Sequence, residues 1–302
     1  MHVFVTGASG RIAAAVIPEL MSAGHTITGL ARSDRSAAAV RSLGAQVCRG
    51  DLDDLGALSA AASTADGVIH LAFKHDEMRS GDLAGAAAAD LRAIEAMAAA
   101  LAGSGKPFVG TGATLGLVLG GFTGQLTEHD GLPGGPRIDA ENGVLALAEH
   151  GVRSSVVRLP PAVHSPGRYG FVSALIAIAR ATGVAGYLGD GTNRWPAAGT
   201  RAVGRLYRLA VESAPAGSRL HAVAEDGIAL RDLAEVIGRR LGLPVAPVAE
   251  ENAARHFGFL GPFVGLDNPT ASRITRDLLG WAPTGPGLVS ALDTERAFAS
   301  AG

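Results

Sequence analysis

"VFVTGASGRIAAAVIPEL", residues 3–20, opens with a strand-type run, turns through Gly7, Ser9 and Gly10, and continues as a helical stretch from Arg11 and Ile12. Glycines let the backbone approach a pyrophosphate, whose charge is met by free amides and the positive end of a helix. Such a turn carries little information alone. Between the first strand and the first helix it marks a dinucleotide-binding βα unit.

Working outward, the first half of the chain alternates β-type runs with helical stretches, the pattern of a parallel sheet covered on both faces. Strands are predicted at 2–6, 26–31, 45–49, 67–73, 107–111 and 154–159, with a later one at 219–223. The fold class is therefore α/β, a Rossmann-type doubly wound parallel sheet with a smaller C-terminal substrate-binding region. Residues 1–160 would form the dinucleotide-binding Rossmann domain, extended by about 195–225, and 161–194 with 226–302 the substrate-binding region. Ile94, Met97 and Leu101 recur at helical spacing in the alanine-rich stretch 85–102, which reads as a packed helix. That helix could serve as a subunit interface, so a homodimer is a possible assembly.

The tip of the second strand selects the cofactor. An NAD site usually places an acid there to accept from the ribose, whereas this chain reads "GLARSD" (29–34), with Arg32 and Ser33 at the tip. This favours the 2′-phosphate of NADP(H), and Arg11 in the first loop could bind the same group through its guanidinium fork. Asp34 is a counter-signal. Asp51 and Leu52 are placed to meet the adenine, although Asp51 could equally cap a helix.

The 302 residues carry a formal net charge of −2, so no broad basic field exists to attract nucleic acid or anionic lipid. A small-molecule substrate is expected instead. A single cysteine, Cys48, fits a reducing cytoplasm, no Cys/His spacing suggests a metal, and "MHVFVTGASG" (1–10) lacks the basic start of a signal peptide. Residues 107–127 carry no charge, but the six glycines among them favour a buried strand followed by a flexible loop over a membrane span.

With "TGASGRIA" (6–13), "ARSD" (31–34), "GDLDD" (50–54), "HLAF" (70–73) and "SSVVRLPPAVHSPG" (154–167) in this order, the chain resembles the atypical and extended short-chain dehydrogenases/reductases, the NAD(P)-dependent epimerase/dehydratase-like group. The likeness continues through "GDGTNRWPAAGTRAVGRLYRLA" (189–210) and "LLGWAPTGPGL" (278–288). It implies cofactor contacts from Leu71, Ala72, Phe73, Thr111, Pro160 and Val163 in addition to the residues above.

The resemblance also exposes departures. The family's third loop glycine is Ala13, and the serine, tyrosine and lysine that usually polarise and protonate a carbonyl align with Gly112, Arg137 and Glu141. Thr111 and Thr114 flank the serine position. Arginine is a poor acid but a good anion clamp. Arg137 could hold a substrate carboxylate or carbonyl while Glu141 or a water moves the proton; alternatively the two form a surface i,i+4 ion pair. His164 and Tyr169, after the sixth strand, are further candidates, as are His129 and Asp130 before the helix. Trp195 and Phe171 read as pocket wall or core.

These features together predict an NADP(H)-dependent oxidoreductase, a reductase of a small or medium organic carbonyl, imine, enone or quinone-type substrate. The alternatives are an NADP(H)-binding redox sensor without turnover, and a non-redox isomerase, dehydratase or cyclase on the same fold.

Overall fold

The computed structural model describes residues 1–294 and 298. Its first half runs β1 (His2–Thr6), α1 (Ala13–Ser22), β2 (Thr26–Ala31), α2 (Asp34–Ser42), β3 (Gln46–Arg49), α3 (Leu55–Thr64), β4 (Gly67–His70), α4 (His75–Arg79), α5 (Leu83–Ala99), β5 (Pro107–Ala113), α6 (Thr114–Leu119), α7 (Ile138–Ala146) and β6 (Arg153–Leu159). The second half continues with β7 (Ala162–His164), α8 (Phe171–Thr182), β8 (Ala185–Leu188), β9 (Arg194–Gly199), α9 (Thr200–Ser213), β10 (Ser218–His221), β11 (Glu225–Ala229), α10 (Leu230–Leu241) and β12 (Val245–Val248). Short helices follow: α11 (Ala253–Phe257), α12 (Gly261–Val264), α13 (Arg273–Leu279) and α14 (Leu288–Leu292).

Seven strands form one sheet in the order β10-β6-β5-β4-β1-β2-β3, with every pairing parallel. The order reverses between β1 and β4, so a crevice opens at their carboxyl ends, where sheets of this kind bind ligands. One face carries α1, α2 and α9 over a core that includes Val3, Val5, Ile17, Val40 and Tyr207. The other face carries α3, α5 and α7 over Phe4, Leu58, Ile94, Met97, Phe108 and Val144. Both faces of each central strand are therefore buried, which is why these strands read as continuous apolar runs.

A second core gathers Tyr169, Trp195, Leu233, Phe257 and Leu260 beneath the small sheet β11-β9-β7 and the pair β12-β8. The two regions are laced together. Trp281 leaves the C-terminal segment to pack in the first core, where its indole Nε1 donates to the Ala202 carbonyl at 2.9 Å.

Two local expectations are revised. β4 ends at His70 instead of Phe73, because the Ala72 amide turns away and donates to Thr6 Oγ1 at 3.2 Å. Residues 114–119 form α6 instead of a loop, since Leu117 finds an apolar patch against Leu126 and Ile138. Among the described residues no helix is long and apolar enough to cross a membrane, and no cluster of His, Cys, Asp or Glu is placed to hold a metal ion.

Candidate functional site

The glycine turn sits at the carboxyl end of β1. Gly7 adopts a left-handed φ of 62°, and a Cβ there would lie 2.7 Å from the Ala72 nitrogen and 2.8 Å from the Leu71 carbonyl carbon. Only glycine fits both constraints. Gly10 closes the turn by donating to the Gly7 carbonyl at 2.8 Å. α1 then begins after Ile12 with no side-chain cap, and the amides of Arg11, Ile12 and Ala13 donate to no acceptor among the described residues. Free amides at a helix start behind a turn of small residues, Gly7, Ala8, Ser9 and Gly10, suit an anion, so the residues present fit a dinucleotide pyrophosphate.

At the tip of β2 the Arg32 side chain is 71% exposed and only loosely approached by Asp76, at 3.4 Å. Asp34, the counter-signal in the sequence, is paired with Arg49, which the register sets beside Ala31. The carboxylate is thus already held by a cation, and sequence reasoning missed Arg49 because only strand pairing brings it there. Ser33 plays a different part from the one expected. Its hydroxyl caps α2, accepting from the Ser36 amide at 3.2 Å, so the tip presents a helix start and not a free hydroxyl. Asp51 does not cap α3, a part that Asp54 takes by accepting from the Ala57 amide at 3.1 Å; it accepts instead from the amides of Asp53 and Asp54 at 2.9 and 3.2 Å, and Leu52 is buried beside it.

Arg137 is the N-cap of α7 and lies outside the helix, contrary to expectation, with φ 71° and ψ −26°. It is the one non-glycine residue with positive φ among the described residues. Such a conformation costs on the order of 1–3 kcal/mol and persists only where surroundings enforce it. The surroundings here are three: Nη1 donates to Asp90 Oδ2 at 3.3 Å, Nη2 donates to the Thr111 carbonyl at 3.3 Å, and the guanidinium carbon lies 3.9 Å from the Phe73 ring centroid. The group therefore bridges the exits of β4 and β5, at the crevice. Its side chain stays 23% exposed, and among the described residues the Nε hydrogen and one hydrogen on each terminal nitrogen are uncommitted.

Glu141 faces the other way, which removes it both as the partner of Arg137 and as a free proton carrier. Its carboxylate is buried against Arg158, with Oε1 2.5 Å from Nη2 and both oxygens 3.1 Å from Nε. Arg158 also donates to the Asp130 carbonyl at 2.7 Å and to His221 Nε2 at 3.1 Å, while His221 Nδ1 donates to the Ala271 carbonyl at 2.7 Å. Burial first and the Arg158 charge second push the His221 imidazole down to about 4. This cluster explains the glycine at the serine position, because a Cβ on Gly112 would lie 2.7 Å from Glu141 Oε2 and 3.2 Å from Arg158 Cγ.

The remaining candidates separate in the same way. Thr111 Oγ1 donates to the His70 carbonyl at 2.7 Å, so at its other contact, also 2.7 Å, the Tyr207 hydroxyl is the donor. Its single proton is spent, which corrects the expectation that Thr111 serves a substrate. Burial raises the Tyr207 phenol well above its ordinary value, keeping it neutral in that contact. Thr114 is fully buried and accepts from Asn268 at 2.9 Å, a strut to the C-terminal segment. Tyr169 lies in the second core with its hydroxyl on the Ala291 carbonyl at 3.2 Å, so it too is structural.

His164 on β7 is buried, and its ring makes no hydrogen bond among the described residues. Desolvation lowers its pKa, so near neutral pH it is a poor acid. Pro160 and Val163 flank the loop onto which α8 docks, where Phe171 donates to the Pro161 carbonyl at 3.2 Å. His129 is exposed, and Asp130 turns inward to accept from the Thr127 amide at 2.7 Å. Trp195 is core, with Phe171 edge-on at 6.0 Å.

Asp90 was missed altogether. It is buried on α5 and accepts from both His70 and Arg137. A sequence signal existed, since Asp90 falls on the apolar stripe Ala86, Ala93, Ile94 and Met97 where a charge needs a partner.

Residues 1–92 match the NmrA-like family. The chain is 41% identical over 298 residues to "Uncharacterized protein C2A9.02" of Schizosaccharomyces pombe, covering 99% of this chain and 100% of that protein. It is 42% identical over 294 residues to "Uncharacterized protein YLL056C" of Saccharomyces cerevisiae, covering 96% and 97%. Among solved structures, a dTDP-glucose 4,6-dehydratase from Streptomyces venezuelae superposes with a TM-score of 0.75 at 18% identity, covering 97% of this chain and 95% of that one. The UDP-glucose 4-epimerase of Thermotoga maritima does so with a TM-score of 0.74 at 19% identity, covering 97% and 96%. The chain belongs to one family with the two yeast proteins, and it shares its fold with the dehydratase and epimerase structures.

Proposed function

We propose that this protein is an NADP(H)-dependent reductase of a small or medium organic molecule carrying a carbonyl, imine, enone or quinone-type acceptor. The observation that carries the reading is Arg137, a strained and partly exposed guanidinium with uncommitted N–H groups at the crevice. The turn from Gly7 to Ile12 would hold the pyrophosphate, and Arg32 with Arg11 the 2′-phosphate. The nicotinamide, when bound, supplies or accepts hydride. Arg137 would stabilise the anion developing on the acceptor, and its permanent charge makes it a clamp and not an acid. With Thr111, Thr114, Glu141 and Tyr169 committed elsewhere, a substrate that takes hydride without strong acid assistance suits the site best, and water is the natural proton source.

That same commitment of hydroxyls favours a second reading, a dinucleotide-binding sensor without turnover. A third, a non-redox isomerase, dehydratase or cyclase, is supported by the epimerase and dehydratase neighbours. Fluorescence titration with NADPH and NADH, followed by a substrate panel monitored at about 340 nm, separates the three. NADPH binding with oxidation supports the reductase, binding without oxidation across the panel supports the sensor, and product isomers without net oxidation support the third. Failure to bind either dinucleotide would overturn them all.

A further inference from the structure

Behind Arg137 runs a buried polar chain that the reading above leaves unused. The Ala72 amide donates to Thr6 Oγ1 at 3.2 Å, and Thr6 Oγ1 lies 2.7 Å from His70 Nδ1. His70 Nε2 is 2.9 Å from Asp90 Oδ1, and Asp90 Oδ2 receives Arg137 Nη1 at 3.3 Å. Thr6, His70 and Asp90 are all buried, so none of the three can reach a substrate directly.

The donors and acceptors can be assigned in one consistent direction. Against a carboxylate acceptor His70 donates from Nε2, and in the neutral imidazole Nδ1 is then the acceptor. Thr6 therefore gives its hydroxyl proton to His70, and its oxygen stays free to accept from Ala72. The chain runs Ala72 amide, Thr6, His70, Asp90, with every group used once. It ends on a carboxylate 4% exposed that meets one cation, Arg137. A buried carboxylate is tolerated only when paired and hydrogen-bonded, so Asp90 constrains where the guanidinium rests. The second hold on Arg137, the Thr111 carbonyl, belongs to a residue whose hydroxyl donates to the His70 carbonyl. Both holds thus trace back to His70, at the end of β4 beside β1.

We propose that Asp90 is the positioning residue for Arg137, and that Thr6, His70 and Asp90 form a buried chain tying the guanidinium to the strand that carries the glycine turn. The inference rests on the reading of Arg137 as the anion clamp. It adds the device that holds the clamp in its left-handed backbone conformation with N–H groups free. Asn at position 90 would not replace the acid, since His70 and Arg137 meet different oxygens of Asp90 and the NH2 group standing in for one of them would confront a donor.

The test uses the full chain without cofactor and reads phenylglyoxal modification at Arg137 by peptide mass mapping. Asp90→Asn is expected to raise the rate at Arg137 at least fivefold over the parent while the other arginines keep theirs and the thermal transition stays cooperative. Thr6→Val, isosteric and one link further back, is expected to raise it about twofold and covers the case in which Asp90→Asn does not fold. Parental rates at Arg137 in the folded variants would overturn the proposal. Because cofactor is absent, the result stands apart from whether NADPH binds, so failure of the dinucleotide reading and failure of this one are distinguishable.

Discussion

Arg137 and Glu141 lie four residues apart at the start of one helix, yet they belong to opposite kinds of environment. Glu141 is closed: both its oxygens and all three nitrogens of Arg158 have partners, and neither side chain reaches solvent. Arg137 is open: its backbone is strained, its two hydrogen bonds are long at 3.3 Å, and donors are left over. Saturation marks scaffold, whereas spare capacity held in place at a cost marks a site. The charge of a residue and its helical spacing carry neither property.

Breaking the closed side should cost the most stability. Glu141→Ala leaves Arg158 buried without its carboxylate, and about 3–5 kcal/mol should disappear from the denaturant unfolding free energy. NADPH affinity of the folded fraction should change less than threefold; an unchanged midpoint would mean the pair is ornamental.

The same cluster should sense acid. The His221 imidazole falls from its ordinary 6.5 to about 4 in the folded protein. The unfolded chain therefore takes up a proton that the native state refuses. Stability is complete above about pH 6.5 and declines as pH drops toward about 4, by a total on the order of 3 kcal/mol. Urea midpoints across that window should slope accordingly, and His221→Asn should flatten the slope.

On the open side the effect is functional. Arg137→Ala should lower kcat/KM by roughly 10², about 2.7 kcal/mol of transition-state binding, on whichever panel substrate is oxidised by NADPH. Dinucleotide affinity should move little. Equal turnover in variant and parent would return Arg137 to the scaffold and erase the contrast with Glu141.

The smallest effect concerns cofactor choice. Arg32→Glu should weaken NADPH by roughly tenfold, about 1.4 kcal/mol, and leave NADH nearly unaffected. Isothermal titration of both dinucleotides on both proteins checks this, and a parallel loss for NADH would point to a general surface-charge effect.

How much of this could be read beforehand depended on the range of the interactions involved. The glycine turn, strands near 2–6, 26–31, 107–111 and 154–159, and the helix around 85–102 follow from local rules: strand periodicity, the backbone freedom of glycine, the reach of a helix start. Their observed bounds differ by a few residues at most, except where a side chain intervenes, as Thr6 does at the end of β4. By itself the sequence also determined that a cation, and no phenol, stands at position 137.

Tertiary structure decided the partners. Arg158 reaches Glu141 from β6, Tyr207 reaches Thr111 from α9, Arg49 reaches Asp34 from β3, and Asp90 reaches Arg137 from α5. Helical spacing allows an ion pair between Arg137 and Glu141, one of the two alternatives above, because residues four apart share a face. The left-handed backbone at Arg137 takes that residue off the face before the helix begins. Periodicity describes a chain that follows one regular conformation, and a single residue outside it redirects a side chain to neighbours that are distant in sequence.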